Sequence, residues 1–336
     1  MSDKQIDAVV TWVDGSDPQW YRQKQQYQKK SGVKGTDEVN RYRDWGWIRY
    51  WFRGIEKFAP WIRRVHFVTW GHLPDFLNTE NDRLHIVRHE DFMPEEVLPV
   101  FNSNAIEVCL HRIKGLSEQF LYFNDDMFLI RSVRPDNYFR NGRPCDMLAF
   151  QPVIANADNP VMSRTLLNDT LVLAKYFVKR ENVKKQPGAY FHPGYPIKNL
   201  GYNLLELAFP QMTGYYSTHS VAPLCKSTYE QLWEKETELM QRTAASRIRC
   251  GEDTTIYLMR EWQKLAGNFY PKNMQKDFAY FALAEHNEKL CRMIRKQRRN
   301  IVCINDVRTD IPYEQVKREV SEAFETILPD KCSFEK

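Results

Sequence analysis

A mainly parallel, doubly wound α/β sheet with a mostly helical C-terminal elaboration is the fold class this sequence predicts. Short apolar, β-branched runs at 6–13, 65–69, 84–87 and 120–123 each stop at polar, turn-forming residues, the pattern of strands buried on both faces. Helix-length segments separate them, and strands alternating with helices at this spacing form a parallel sheet. After about Ala155 the texture changes to helical segments and a Gly, Pro and aromatic loop. The expected division is therefore 1–155 as the α/β core, 156–300 as a helical elaboration, and 301–336 as a strand and helix packing back on the core.

The first run, IDAVVTWV, delivers the turn Asp14-Gly15-Ser16-Asp17-Pro18, whose plainer role is an Asx turn. Residues 19–30 are polar and predicted helical, with a loop at 31–40. From Arg41 to Phe58, Ile48, Trp51, Phe52, Ile55 and Phe58 recur at three and four, an amphipathic helix ending before Pro60. Trp47, Trp51 and Trp61 read as core. The second strand ends at Trp70-Gly71-His72 and the third at His89-Glu90-Asp91. Asn102 and Ser103 resemble a cap for a helix through Lys114, which would put Glu107 and His111 on neighbouring faces. One more strand is expected over 145–153. In the second half, helices are expected over 161–179, from a Ser227-x-x-Glu230 capping box to about Arg242, up to Leu265, and over 285–300. A strand at 301–304 and a helix opened by Pro312, with Val316, Val320, Phe324 and Ile327 on one face, complete the chain.

The most informative stretch is Phe120–Ile130, FLYFNDDMFLI. Asn124, Asp125 and Asp126 interrupt an apolar run, and such polar groups are costly to bury unless something answers them. Two readings stand here: a turn, where Asn and Asp are favoured for local backbone bonds, or a metal site. In parallel sheets ligands bind beyond the carboxyl ends of the strands, where this sequence places Asp14, Asp17, His72, Glu90 and the Asn124–Asp126 trio.

Composition bounds the function classes. The 336 residues are 27% charged and 13% aromatic, with nine Trp and seventeen Tyr: an aromatic globular chain, not a disordered one. Seven scattered Cys without a C-x-x-C spacing argue for reduced thiols over a disulfide frame or zinc knuckle. A net charge of +5 suits an anionic substrate or peripheral contact with an anionic membrane through Arg295–Arg299, otherwise a solvated helix end. It does not imply nucleic acid. The absence of a P-loop or G-x-G-x-x-G disfavours kinase-like and dinucleotide-dependent chemistry. No run of about 18 apolar residues and no signal-peptide pattern occur, which predicts a cytoplasmic placement, at the inner face of the membrane where any contact occurs, or a catalytic domain excised from something longer.

Four stretches in order resemble the Stealth family of sugar-1-phosphate transferases, which includes bacterial capsule-polymer phosphotransferases and the catalytic subunit of the lysosomal-enzyme N-acetylglucosamine-1-phosphotransferase. They are IDAVVTWVDGSDP at 6–18, the region from Arg41 to Leu129 with FNSNAIEVCL and FLYFNDDMFL, then YYSTHSVAPLCK with RCGED, and CINDVRTDIP through LPDKCSFEK. The resemblance implies a glycosyltransferase-A-like fold that binds a UDP-sugar over the sheet's carboxyl edge. The sugar then moves with its phosphate to an oligosaccharide or lipid-linked glycan hydroxyl, UMP leaves, and Mg²⁺ or Mn²⁺ assists. Carried onto matching positions, it implies catalytic roles for Glu107, Asp126, His219 and Arg249. Asp14, Gly15, Ser16, Asp17, Arg53, Asn104 and Asn124 would contact nucleotide or substrate. Asp126, supported by Asp125 and Asn305, would hold the metal with hard oxygen donors.

Each residue also has a plainer reading. Arg249 is either a planar fork onto the transferring phosphate or a surface partner of Glu252 or Asp253. His219 is a general base or a structural donor. Glu107 is an alternative base, a metal or acceptor contact, or an ion-pair partner of Arg112 or His111. Arg41, Arg43 and Arg53 hold diphosphate or are solvated. At the level of the whole protein, an ordinary metal-dependent glycosyltransferase releasing UDP is the alternative; a carbohydrate-binding protein and a two-metal nuclease or phosphatase also fit parts of the pattern.

Overall fold

The structure is a computed structural model that describes residues 5–31 and 42–336; Arg41 and the expected loop beyond Ser31 lie outside them. In chain order the elements are β1 (Ile6–Trp12), α1 (Pro18–Ser31), α2 (Ile48–Phe58), β2 (Val65–Thr69), β3 (Leu84–Arg88), α3 (Ser103–Glu107), β4 (Gln119–Asn124), β5 (Met127–Leu129), β6 (Phe139–Arg140) and β7 (Arg143–Asp146). The second half adds α4 (Pro160–Tyr176), α5 (Lys179–Lys185), α6 (Pro187–Tyr190), α7 (Ile197–Glu206), β8 (Ala222–Cys225), α8 (Lys226–Lys235), α9 (Thr237–Ala245), α10 (Ile256–Leu265), β9 (Tyr270–Pro271), β10 (Phe278–Ala282), α11 (Glu288–Lys296), β11 (Ile301–Asn305) and α12 (Tyr313–Glu325).

The main sheet has the order β3-β2-β1-β4-β8. Its first four strands are parallel, and β8 closes the edge antiparallel to β4. Both faces are buried, as the apolar runs require. Alternate residues of β1 serve opposite cores: Ala8 and Val10 pack with α2 and α12, Val9 with the layer that includes α8, α9 and α10. At the centre, buried Asp7 accepts from Arg63 at 2.6 Å, contacts His66 at 3.1 Å and accepts from the Ser117 backbone N–H at 2.8 Å. It thereby ties β1 to β2 and to the approach of β4.

The chain leaves the main sheet at Asn124, turns at Asp125-Asp126 and enters a second sheet, β10-β11-β5. There β5 runs antiparallel to β11, with Cys303 opposite Met127. The C-terminal segment is locked down by Arg53 of α2, which bonds Glu335 at 2.7 Å, Glu325 at 3.3 Å and the Leu328 carbonyl at 2.8 Å.

Several sequence expectations need correction. Asn102 does cap, accepting from the Asn104 N–H, but the helix ends at Glu107 and a 3₁₀ turn follows at Leu110–Arg112, so Glu107 and His111 do not share one helical face. Helix α2 begins at Ile48, not Arg41. The strand expected over 145–153 is confined to β7, which pairs with β6 and β9 rather than joining the main sheet. The Ser227 capping box does not form, because Glu118 takes the Ser227 hydroxyl at 2.5 Å. All seven cysteines are free. Among the described residues, no helix is long and apolar enough to cross a membrane.

Candidate active site

Strands β1 and β4 are neighbours in register, Thr11 opposite Asn124, so their carboxyl ends deliver two acidic turns side by side. In the first, Asp14 accepts from the Ser16 N–H at 2.8 Å and hydroxyl at 2.6 Å. Asp17 accepts from the Gln19 and Trp20 N–H groups, both at 2.8 Å, and so opens α1. The Asx-turn reading therefore holds in its geometry. Gly15 is required for close approach: a Cβ there would run into the Tyr42 carbonyl. His72 accepts from the Asp14 N–H through Nε2 at 2.8 Å. That bond needs the neutral ring, and burial lowers its basicity accordingly.

At the second turn, the turn and the acidic cluster coexist. Consecutive strand residues point to opposite faces, and the chain bends here, between the end of β4 and the start of β5. Asp126 Oδ2 lies 3.2 Å from His219 Nε2 and receives the Cys303 thiol at 3.3 Å, while His219 Nδ1 meets the Tyr257 hydroxyl at 3.2 Å. One ligand atom from each of Asp126, His219 and Cys303 lies within 4.8 Å of the others. Burial opposes charging the His219 ring, but the Asp126 hydrogen bond and the Asp126 and Glu107 charges outweigh it, and its basicity is raised. Burial, then the Asp126 and Asp125 charges, push the Cys303 thiol well up; it is a donor here, not a thiolate ligand.

Asp125 is exposed at the tip of this turn. The protein around it, then the Asp126 and Asp44 charges, raise its carboxyl above the ordinary value. Asp44 is itself raised by burial and by Asp14, so the two acidic turns and Asp44 form one negative cluster.

Glu107 is buried, 6% exposed, and accepts from the Tyr122 hydroxyl at 2.9 Å; that hydroxyl also lies 3.1 Å from Thr11 Oγ1. Burial raises the Glu107 carboxyl, against the Arg249 charge, the Tyr122 bond and the His219 charge. Arg249 hydrogen-bonds Ser103 at the start of α3. Its loop is anchored by Asp253, whose Oδ2 accepts from Asn102 at 2.8 Å, Asn104 at 3.3 Å and the Cys250 N–H at 3.2 Å.

The structure thus brings Asp125, Asp126, His219, Glu107 and Arg249 into one electrostatically connected neighbourhood. Three residues expected at the site have other partners in this structure. Arg53 is spent on the C-terminal segment, with its guanidinium donors engaged there rather than toward the cleft. The side-chain nitrogen of Asn104 goes to Asp253, so it positions the Arg249 loop. On β11 it is Cys303 that touches Asp126, whereas the Asn305 amide donates to the Tyr280 hydroxyl at 2.6 Å. Arg43 pairs with Asp306 at 3.2 Å. Glu107 takes Tyr122, and Arg112 instead lies over the Trp233 ring, 4.0 Å from its centroid. Asp44, Tyr122, Tyr257 and Cys303 went unnoticed in the sequence. Cys303, two residues before Asn305 on the same strand face, was the one with a signal.

A hard divalent cation fits these residues. Asn124 Oδ1 and Asp126 Oδ1 are buried without any hydrogen-bond partner, and unanswered buried oxygens are costly. Asp125, between them in the chain, adds a further hard oxygen donor to the same turn.

Comparison with known proteins identifies the family. Stealth conserved region 1 matches residues 4–32, region 2 matches 41–146 and region 4 matches 292–336. The chain belongs to the Stealth family. It is 36% identical over 331 residues to the capsular polysaccharide phosphotransferase WcwK of Streptococcus pneumoniae, covering 98% of this chain and 99% of that protein. It is 37% identical over 336 residues to the receptor polysaccharide phosphotransferase WefC of Streptococcus oralis, with coverage of 98% and 99%. The exopolysaccharide phosphotransferase cps2G of Lactiplantibacillus plantarum is 32% identical over 339 residues, with coverage of 98% and 96%. Among solved structures, mouse xyloside xylosyltransferase 1 aligns over 89% of this chain and 97% of its own at 9% identity and a TM-score of 0.34, a similarity too low to argue from. His219 and Arg249 lie between the second and last matched regions.

Proposed function

We propose that the protein is a phosphotransferase of polysaccharide synthesis that moves a sugar-1-phosphate, of an N-acetylhexosamine or a hexose, from a UDP-sugar to a glycan hydroxyl. In this reaction the acceptor oxygen bonds to the β-phosphorus, the bond from that phosphorus to the bridging oxygen breaks, and UMP leaves with the bridging oxygen. The acceptor's proton goes to a base. Such transfers depend mainly on positioning and on neutralising phosphoryl charge.

A Mg²⁺ or Mn²⁺ held by Asp126 with Asp125 and Asn124 would supply positive charge for the diphosphate. Arg249, carried on the Asp253-anchored loop, is assigned to the transferring phosphate, where its fork matches two oxygens. His219 is assigned as the base. Its ring is held between Asp126 and Tyr257, and it takes the proton when neutral. Buried Glu107 sets the field around both. The turn Asp14–Asp17 is assigned to the nucleotide.

The observation that carries this reading is the 3.2 Å contact between His219 and Asp126, which joins the third and second family-like stretches over the carboxyl edge of the sheet. The test is to incubate the protein with UDP-N-acetylglucosamine, UDP-glucose or UDP-galactose, Mg²⁺ and a capsular oligosaccharide, and to identify the nucleotide released. UMP is expected. UDP would instead make the protein a conventional glycosyltransferase.

A further inference from the structure

A separate cavity of ≈ 260 Å³ lies between α4 and α10, rimmed by residues 151–156. Its floor carries two buried carboxyls. Asp169 accepts from the Thr255 hydroxyl at 2.5 Å and N–H at 3.1 Å, and from the Thr254 hydroxyl. Glu261 is 3% exposed. Its Oε1 takes both the Ser217 hydroxyl and Lys264, the latter at 2.7 Å, but its Oε2 is buried with no partner.

We propose that this cavity is the acceptor subsite, seating one neutral hexose or N-acetylhexosamine ring of the glycan with a ring hydroxyl donating to Glu261 Oε2. The inference rests on the sugar-1-phosphate transfer above. Among the described residues no Lys, Arg or His lines the cavity, so nothing there answers a diphosphate. Its volume falls just below the range of pockets for drug-sized ligands, which suits a single ring and not a nucleotide-sugar. Ser163, Thr170 and Ser217 give the lining polar edges, while Met162, Leu166 and Leu173 on α4 offer an apolar wall to the ring's C–H face. The position is also right: Tyr257 lines the cavity and its hydroxyl reaches His219 Nδ1 at 3.2 Å. A sugar seated there lies one side chain from the assigned base.

The test uses saturation-transfer NMR on the full chain with methyl glucoside, methyl galactoside and methyl N-acetylglucosaminide as probes, and with UDP in parallel. The wild type is expected to bind at least one glycoside. Glu261→Gln is expected to weaken it about tenfold, the equivalent of one charged hydrogen bond. Leu166→Trp removes no polar partner and fills the cavity; it is expected to abolish the glycoside signal with the UDP signal intact, and it carries the test should Glu261→Gln fail to fold. A wild type that binds UDP but none of the three glycosides overturns the proposal, as do glycoside signals unchanged in folded Leu166→Trp. Glycoside binding that Leu166→Trp removes, in a protein blind to UDP, supports the subsite and counts against the donor reading instead.

Discussion

Asp126 is the residue on which most of the site's chemistry converges, because one of its oxygens is shared by an imidazole and a thiol while the other has no protein partner. Asp126→Asn keeps the shape but removes the charge. We expect turnover to fall by about a thousandfold, the scale of losing one directly charge-stabilising group, with an unchanged melting temperature; steady-state rates beside thermal melts check this. Arg249→Lys keeps the positive charge and loses the fork. A loss of about a hundredfold in kcat is expected, and a rate equal to wild type would return Arg249 to a purely local role beside Ser103.

At the scale of elements, the four parallel strands of the main sheet were legible because each is a mainly apolar run with a polar stop, interrupted by Asp7, His66 and His85, and a sheet buried on both faces leaves no other way to place such runs. The acidic turn was legible as well, since Asn-Asp-Asp has no business in the middle of a strand. What could not be read were features decided by partners remote in sequence. Strand β8 contains Pro223, which masks it; the structure tolerates the proline because β8 lies at the sheet edge. Ser227 looks like a helix cap until Glu118 claims it. Cys303 sits in Ile301-Val302-Cys303-Ile304, where its spacing from Asn305 gives its face but not its partner, which appears only when β11 is laid against β5. Arg53 misled for the same reason. Its stripe position on α2 is plain, but Glu335 lies 282 residues away. That lock has its own test: Arg53→Ala strands buried Glu335 without a cation and should cost about 3 kcal/mol in denaturant unfolding, leaving KM for the donor unchanged.

For the whole molecule, acid stability should report on Asp7. Burial alone would raise this carboxyl, but the Arg63 and His66 bonds and the Ser117 N–H hold it well below the ordinary value of 3.8. A carboxyl depressed in the folded state contributes stability that is fully present above its unfolded pKa and is lost as pH falls through the folded one. Asp7→Asn is therefore expected to melt below wild type by a constant margin from pH 7 to about 4, with the gap closing in stronger acid. Melting curves across that range decide it.

The bend at residues 125 and 126 belongs to neither sheet alone: its entering strand is zipped into the large one and its departing strand into the small one. A cation seated on that bend would act as a rivet through the seam between two layers. Loading it would then stiffen both at once, so that amides of β4 and of β11, far apart in sequence, gain protection from hydrogen exchange in step.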